Sequence, residues 1–515
     1  MRIGLRPPLV VFSAFAGSFL LYISGLVLPY SLFAHVAHTP ISFPEIAQRR
    51  PLPAAAFLTT FLVLFGLYVL VYRTCRLHPR QVSPALILLC GLTLALLLSL
   101  TYPVGAGDVV DYVTHGEELF DYRENPLVVP PGHLPDTAFA RYSAYRMAPS
   151  NYGPLWTWIS ALVVGTLGRE SLALNLLGFK GVAIAAYLAQ AVLVYAVLHL
   201  RQPDLAPAGL AFFAWNPLVL YEFAANGHND AAMMAFALLG VYFWERRLPL
   251  LMTAALTLSF LVKIPTAPLL PLFLVACARD ARSEARSAAE CHQRDFAPLR
   301  RLLPARDTRS EAQNAAECRQ RDSASLRRFL QAGLLSGALV GLAYLSLPDP
   351  LAALTNLSTR SHLLTHSLPT VLALTLPLAG MDETAARTFA QTAALGAFAV
   401  AFVLQLARTW VRPAAVLRHA FDLMLFLLLF ATPWFQPWYV TWAVALAALF
   451  PRPEAPLQAG LLSLTVVFSY VVYGFVWFWI PHQANWGNTL GITLMAVPTT
   501  YLIPWGYTLW VWGRR

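Results

Sequence analysis

Long apolar runs recur along the whole chain and are separated by short polar connections. Runs of about 18–25 apolar residues are long enough to cross a bilayer core of roughly 30 Å as α-helices. The pattern therefore predicts an all-α polytopic integral membrane protein with about 12–14 transmembrane helices. The predicted spans cover residues 9–32, 54–72, 84–101, 172–198, 206–222, 229–244, 248–264, 266–277, 329–347, 388–407, 419–432, 436–450, 456–479 and 488–511.

Two stretches interrupt this pattern. Residues 102–153 form a polar loop after the third predicted span, with seven acidic residues and three Arg. Residues 278–328 contain 12 Arg and eight acidic residues, and 16 of the 22 residues in 282–303 recur unchanged in 309–330. Two near-copies are too few for a solenoid. We interpret this second stretch as a flexible cytoplasmic insertion within a single membrane domain that covers residues 1–515.

Arginine positions predict the orientation of the spans. Arg2 and Arg6 precede the first span, and Arg73, Arg76 and Arg80 lie between the second and the third. Cytoplasmic connections of membrane proteins carry an excess of Lys and Arg. We therefore expect both termini in the cytoplasm and the acidic loop on the outer face.

The composition supports the same class of protein. The chain is 58% hydrophobic and 12% charged, and its mean hydropathy is +0.57. The net charge of +10 is explained by the positive-inside rule, so we expect a membrane and no nucleic acid as a partner. None of the five Cys has the spacing of a metal site.

A first polar cluster opens the outer loop. Asp108 and Asp111 are three residues apart, so on a helix they share one face. One carboxylate can then act as a general base while the other orients a ligand or a basic partner. For an isolated Asp, helix capping is the simpler explanation. Tyr112, Asn125 and Tyr152 belong to the same loop, and this context favours a functional role for both Asp.

A second polar cluster lies between two predicted spans. Glu222, Asn226, His228 and Asp230 crowd into one short turn. Helix capping explains an Asp at this position but explains less well why four such residues lie together. His228 suits a phosphate or a sugar. Because no Cys lies beside it and the spacing is poor for zinc, we predict no metal ligand and no cofactor.

The chain has only two Lys, Lys180 and Lys263, and both lie within apolar segments. Lys263 ends a helix that a proline breaks, and an ammonium group there can pair with a phosphate. Snorkelling of the side chain to the interface explains Lys263 equally well, and it is the better explanation for Lys180. Arg360, in a loop with His362 and His366, is a further candidate to bind phosphate, although an ordinary surface loop would also contain these residues.

A kinked aromatic segment covers residues 432–442. It contains Gln436, Trp438 and Tyr439 together with two Pro. An aromatic belt at the membrane interface is the simplest explanation. Because aromatic faces also stack on sugars, we include this segment among the candidate substrate contacts.

In chain order, these motifs resemble those of the GT-C superfamily, and most of all the bacterial polyprenol-phosphate-mannose-dependent mannosyltransferases. The insertion at 278–328 departs from the family pattern, and the spacing of Asp108 and Asp111 is wider than the acidic pair of some relatives. The motifs that carry the resemblance lie between residues 100 and 445 and are Asp108, Asp111 and Tyr112, Asn125-Pro126, Tyr152-Gly153-Pro154-Leu155, Trp215-Asn216-Pro217, Asn226-Gly227-His228-Asn229-Asp230, Lys263-Ile264-Pro265 and Gln436-Pro437-Trp438-Tyr439.

The resemblance implies a GT-C membrane enzyme that transfers mannose, with inversion, from a polyprenyl-phosphate donor to a hydroxyl of a lipid or glycan acceptor. It implies an active site on the outer face of a bacterial inner membrane. The family's acidic residue in the first large outer loop, which acts as the general base, corresponds to Asp108, with Asp111 as the second choice. Lys263, His228 and Arg360 then become candidates to bind the donor phosphate. The candidate substrate-binding residues are Tyr112, Asn125, Tyr152, Glu222, Asn226, Asp230, Gln436, Trp438 and Tyr439.

A transporter or flippase of lipid-linked saccharides is the alternative interpretation. Helices broken by Pro and charges at membrane depth also suit transporters. The predicted spans show no inverted repeat, however, and the long acidic outer loop favours an enzyme.

Overall fold

A computed structural model describes the chain over residues 6–105, 107–279, 327, 329–355, 363–450, 452–479 and 486–514. Within these ranges the chain folds into α-helices joined by short connections, and no β-strand forms. The predicted fold class, an all-α polytopic membrane protein, is confirmed. The proposed insertion lies almost entirely outside the described residues, so its interpretation stays a prediction.

The longer helices are numbered here in chain order. They are α1 Pro7–Val27, α2 Pro51–Leu77, α3 Pro84–Leu98, α4 Asp108–Phe120, α5 Pro154–Leu167, α6 Leu172–Arg201, α7 Pro203–Ala214, α8 Pro217–Ala225, α9 Asp230–Glu245, α10 Pro249–Val262, α11 Ile264–Arg279, α12 Phe329–Leu345, α13 Leu368–Ala379, α14 Glu383–Val411, α15 Pro413–Ala431, α16 Val440–Ala447, α17 Glu454–Trp479 and α18 Trp486–Gly513.

Six of these helices, α1, α2, α6, α14, α15 and α17, are long and apolar enough to cross a membrane. The helices α7 and α8 meet at a bend of 51° and add a seventh span if they are counted together. Other apolar helices have 10–17 residues, fewer than the roughly 20 that a full span needs. Length and composition thus support six or seven full spans in the described part of the chain, fewer than the sequence predicts, because many apolar runs contain breaks.

The helix α5 follows residues 102–153, the loop that is predicted to lie on the outer face and is called the outer loop here, and with 14 residues it is short for a span. Its position depends on Gly153. The Gly153 N–H donates to the Val262 carbonyl at 2.9 Å, and a Cβ on Gly153 would lie 2.0 Å from the Leu261 carbonyl oxygen. Only glycine permits this approach, which brings the start of α5 against the end of α10.

The breaks before and after α8 have local causes. Asn216 caps α8, since its Oδ1 accepts the N–H groups of Leu218 and Val219 at 3.0 and 3.2 Å. The helix ends in a wide turn over Tyr221–Ala225. Gly227 then adopts a φ of +76°, which favours glycine, and the chain reverses into α9. This reversal places the second polar cluster inside the bundle.

The outer loop is held against the bundle by buried polar contacts. The Glu117 carboxylate on α4 accepts the backbone N–H groups of Ala138 and Phe139 at 2.6 and 3.0 Å. The same carboxylate pairs with Arg169 at 2.9 Å. These contacts fix the middle of the loop relative to α4, and α4 packs along α5.

Candidate active site

Polar clusters that are far apart in the sequence meet in one site. Asp108, in the first turn of α4, accepts a hydrogen bond from the Tyr152 hydroxyl at 3.0 Å. The Asp108 Oδ2 atom also lies 3.8 Å from Nδ1 of His228, in the break before α9. The start and the end of the outer loop and the second cluster therefore surround one carboxylate.

His228 lies at the centre of this site and is fully buried. Its Nε2 atom is 3.4 Å from Oε2 of Glu222. Its ring stacks on the Trp438 indole, with 4.1 Å between the centroids and 17° between the planes. A carboxylate beside each ring nitrogen and an aromatic face together fix the orientation of the imidazole.

Glu222 is a fully buried carboxylate that joins three parts of the chain. It accepts hydrogen bonds from Asn226 Nδ2 at 2.9 Å and from the hydroxyl of Tyr470 on α17. The Asn226 Oδ1 atom accepts the backbone N–H of Gly105 at 3.1 Å. The His228 backbone N–H donates to the Glu222 carbonyl at 3.1 Å. Glu222 and Asn226 therefore form a hydrogen-bonded framework that positions His228 and the start of the outer loop.

Lys263 and Asp230 form a buried ion pair. The Lys263 Nζ atom lies 3.1 and 2.9 Å from the two oxygens of Asp230. Asp230 also accepts the indole N–H of Trp442 at 2.6 Å. Lys263 follows the last residue of α10 in an extended conformation, with φ −160° and ψ 130°. The end of α10 therefore directs the ammonium group inward to Asp230.

Aromatic rings surround the Lys263 ammonium group. Its Nζ atom lies 5.0 Å from the centre of the Tyr439 ring and 5.9 Å from that of Tyr152. These distances are within the range of cation–π contacts. Tyr152 therefore contacts both groups, since its ring lies beside Lys263 and its hydroxyl binds Asp108.

The two candidate base residues have different surroundings. The Asp108 side chain is 17% exposed and lies among Tyr152 and His228. Asp111 is buried and accepts a 2.5 Å hydrogen bond from Ser143, in the middle of the outer loop. Asp108 thus belongs to the site, whereas Asp111 holds the loop over it.

Tyr112 packs behind the residues that line the site. Its hydroxyl accepts the Asn229 backbone N–H at 3.3 Å, and its ring packs edge to face on Tyr152 and Trp156, with centroids 5.0 Å away in both cases. Tyr112 is fully buried. It therefore positions Tyr152 and the second cluster and does not line the site directly.

Several buried polar atoms of these residues have no hydrogen-bond partner in the described part of the chain. They are Nδ2 and Oδ1 of Asn229, Nε1 of Trp438 and both ring nitrogens of His228. Buried polar atoms nearly always bind a partner, which can come from the protein, from water or from a ligand. A group of unpaired buried polar atoms such as this one, close to Asp108, is typical of a binding site for a polar molecule.

Some predicted residues lie elsewhere. Asn125 Nδ2 donates to the Pro348 carbonyl at 2.6 Å and its Oδ1 accepts the Leu127 N–H, so it shapes a turn. Lys180 is buried and donates to the carbonyl oxygens of Ser99 and Thr101 at the end of α3. Gln436 is half-buried and begins the turn that carries Trp438 and Tyr439.

Of the three basic residues in the predicted cationic loop, the structure describes only His366. Arg360 and His362 lie outside the described residues. His366 is buried, and its Nε2 atom lies 2.9 Å from the Thr500 hydroxyl. Burial lowers the pKa of His366 to about 3, so its ring is neutral at pH 7 and does not serve as a phosphate-binding cation.

Ser143, Trp442 and Tyr470 complete the site, since they bind the carboxylates of Asp111, Asp230 and Glu222 respectively. Trp442 ends the predicted aromatic segment 432–442 and follows Trp438 by four residues, a spacing that places two residues on one helical face. Ser143 and Tyr470 were not among the predicted residues. The sequence gives no signal for them, because each is an ordinary residue of a loop or of an apolar run.

The inner face of α4 carries a further carboxyl group. Glu118 is fully buried, and neither of its oxygens has a hydrogen-bond partner among the described residues. Burial is the main reason why its pKa is raised to about 9, and the nearby Glu117, Glu124 and Asp111 add to the effect. Glu118 is therefore protonated at pH 7.

No group of three or more His, Cys, Asp or Glu side chains in the described ranges is arranged to hold a metal ion.

Comparisons with known proteins address the family of the chain. No curated protein matches the chain. A family profile described as alpha-(1->6)-mannopyranosyltransferase, N-terminal domain, matches residues 11–279, just over half of the chain. This match confirms the predicted resemblance to GT-C mannosyltransferases and makes the protein an integral membrane glycosyltransferase. The chain belongs to the alpha-(1->6)-mannopyranosyltransferase family.

Proposed function

We propose that the protein transfers mannose from a polyprenyl-phosphate donor to a hydroxyl group of a lipid or glycan acceptor, with inversion at the anomeric carbon. The observation that carries this proposal is the partly exposed Asp108 carboxylate, held between Tyr152 and His228 in an otherwise buried site. The family match favours a transferase over the transporter that the sequence left open. The proposed setting is the outer face of a bacterial inner membrane, with both termini in the cytoplasm.

Asp108 is the proposed general base. A base must reach the proton that it removes, so it needs access to the acceptor as well as a fixed orientation. Asp108 has both, because the Tyr152 hydroxyl binds one of its oxygens and 17% of the side chain remains exposed. Asp111 is committed to Ser143 and acts as a positioning residue.

The proposed reaction is a single displacement. The acceptor O–H loses its proton to the Asp108 carboxylate, and the acceptor oxygen forms a bond to the anomeric carbon of mannose. The bond from that carbon to the phosphate oxygen breaks, and the polyprenyl phosphate leaves with the electron pair. Because attack and departure occur on opposite faces of the sugar, the configuration inverts.

Negative charge grows on the leaving phosphate, and fixed cations stabilise it. Lys263 is the proposed cation, since it is bound by Asp230, which the Trp442 indole N–H holds in place. His228 is the proposed second contact, because its two ring nitrogens lack hydrogen-bond partners among the described residues. We assign no cofactor to this reaction, and the absence of a cofactor stays a prediction.

The aromatic residues of the fourth cluster suit the sugar. Trp438 and Tyr439 lie on the turn before α16, beside His228 and Lys263. The Trp438 N–H and the Asn229 side chain can bind sugar hydroxyls. We propose that mannose binds beside Trp438 and Tyr439 and that the acceptor binds beside Asp108.

A transfer assay tests the proposal. The full-length protein in membranes would receive radiolabelled polyprenyl-phosphate mannose, with the wild type compared with Asp108→Asn, Asp111→Asn and Asp136→Asn at equal expression. Asp136 is an exposed Asp of the same loop and serves as the control. We expect loss of transfer in Asp108→Asn, partial loss in Asp111→Asn and normal transfer in the control. Unchanged transfer in Asp108→Asn would refute the base assignment, and no transfer by the wild type would refute the donor.

A further inference from the structure

A large cavity lies at the end of the bundle opposite the candidate active site. Its volume is about 1010 Å³, and its wall includes Arg418, Asp422 and Phe426 of α15. The helix α15 runs from Pro413 to Ala431 and ends just before the turn that carries Trp438. Arg418 lies 13 residues before the end of α15, which corresponds to about 20 Å of helix, so the basic part of the cavity is far from the candidate active site.

The cavity is strongly basic. Five arginines line it, against two carboxylates, Asp422 and Glu454, which gives a formal charge of +3 with His419 neutral. The arginines come from the ends of four separate elements, so the fold and not one charged segment brings them together. They are Arg201, Arg408, Arg412, Arg418 and Arg452.

Local ion pairs account for only some of this charge. Arg418 binds both oxygens of Asp422 at 2.9 and 2.5 Å. Arg201 lies 3.8 Å from Glu245. Arg408, Arg412 and Arg452 form no ion pair with any carboxylate in the described part of the chain. Three guanidinium groups therefore remain available to an anion in the cavity.

The cavity is also open to lipid. One wall is the C-terminal end of α14, an apolar helix with only 17% of its most hydrophobic window buried in the protein. Leu404 and Val411 on this helix are 52% and 71% exposed. In a membrane these side chains contact acyl chains. An anion that enters the cavity can therefore keep a hydrocarbon tail beside α14.

We propose that this cavity binds the phosphate-bearing headgroup of an anionic membrane lipid. Arg408 and Arg412 hold the phosphate, because guanidinium groups match phosphate oxygens in pairs of hydrogen bonds. The acyl chains lie along α14. Basic pockets between transmembrane helices are suited to such headgroups. The site is separate from the proposed donor site and does not depend on which sugar the enzyme transfers.

Lipid binding by the full-length protein in a neutral detergent tests this proposal. Phosphatidylglycerol, phosphatidylcholine and inorganic phosphate would be added separately, and thermal unfolding and native mass spectrometry would be recorded. The variant Arg408→Gln/Arg412→Gln removes two charges from the cavity. The control Arg73→Gln/Arg387→Gln removes two exposed charges outside it, one of them at the other end of α14.

We expect phosphatidylglycerol to raise the unfolding temperature of the wild type and the control and to bind the cavity variant at least about tenfold more weakly. Phosphatidylcholine should have little effect. If Arg408→Gln/Arg412→Gln fails to fold, Arg408→Lys/Arg412→Lys replaces it, with weaker binding expected because Lys lacks the paired donors. Equal binding of the two lipids, or equal binding by the cavity variant and the control, would overturn the proposal. Stabilisation by inorganic phosphate as strong as by phosphatidylglycerol would overturn the assignment to a lipid.

Discussion

The Lys263 ammonium group lies 2.9 Å from Oδ2 of Asp230, and both side chains are buried. The pair joins the end of α10 to the start of α9, two helices that pack along each other. It also decides how much positive charge the site offers. Lys263 reaches the site as one half of an ion pair, so its role toward a phosphate is that of a fixed donor and not of an excess charge.

Variants of this ion pair distinguish its contribution to stability from its contribution to mannose transfer. Lys263→Met leaves Asp230 buried without its cation, and loss of one partner of a buried pair costs roughly 3–5 kcal/mol. The double variant Lys263→Met/Asp230→Leu removes both charges and should regain much of the unfolding temperature, while transfer stays lost. Thermal unfolding and the mannose transfer assay together measure both. Normal transfer in the double variant would show that Lys263 does not serve the phosphate.

Trp438 contributes both a stacking surface and an N–H group. Trp438→Phe keeps an aromatic face against His228 but removes the indole N–H. Loss of one hydrogen bond to the sugar should raise KM by roughly threefold to tenfold with little change in the unfolding temperature. Trp438→Ala also leaves a cavity, which costs roughly 3–5 kcal/mol. Trp510→Phe, at an exposed Trp of α18, is the control. An unchanged KM in Trp438→Phe would argue against the proposed sugar contact.

Gly153 tests the approach of α5 to α10. A Cβ at this position would lie 2.0 Å from the Leu261 carbonyl oxygen. Gly153→Ala must therefore shift the backbone next to Tyr152, the backbone next to Lys263, or both. We expect a lower unfolding temperature and severe loss of transfer. In Gly181→Ala, the added Cβ meets open space on a helix, where Ala is favoured over Gly by up to about 1 kcal/mol. A Gly153→Ala protein as active and stable as Gly181→Ala would contradict the described contact.

The free energy of unfolding of the protein should depend on pH because of Glu118. Its pKa is about 9 in the folded protein against an ordinary value of 4.5, so the folded state keeps a proton that the unfolded chain loses. Stability is therefore greatest below the unfolded pKa and falls by roughly 1.4 kcal/mol per pH unit as the pH rises toward the folded pKa. Glu118→Gln removes this loss.

The measurement is the difference in unfolding temperature between Glu118→Gln and the wild type at pH 5.5, 7 and 8.5. The difference should grow in favour of the variant as the pH rises. Glu170→Gln, at an exposed Glu beyond α5, should show no such trend. A constant difference for Glu118→Gln would mean that the carboxyl group is ionised in the folded protein.

Much of the architecture and the general place of the site were predictable from the chain. Apolar runs predict membrane helices because backbone hydrogen bonds must be satisfied within each span. Polar residues such as Asp108, His228 and Lys263 stand out because an apolar segment does not tolerate them without a role. The motifs also identified the family, because they recur in a set order.

The pairing of these residues was decided only by the tertiary structure. Asp108 and Asp111 are equivalent in the sequence, yet packing leaves one accessible and commits the other to Ser143. Lys180 and Lys263 look alike as lone cations, yet one binds carbonyl groups at the end of α3 and the other binds Asp230. Spacing along a helix reports which residues share a face. Which faces meet depends on helix packing, broken turns such as that at Gly227 and close approaches such as that at Gly153, and these are properties of the folded chain.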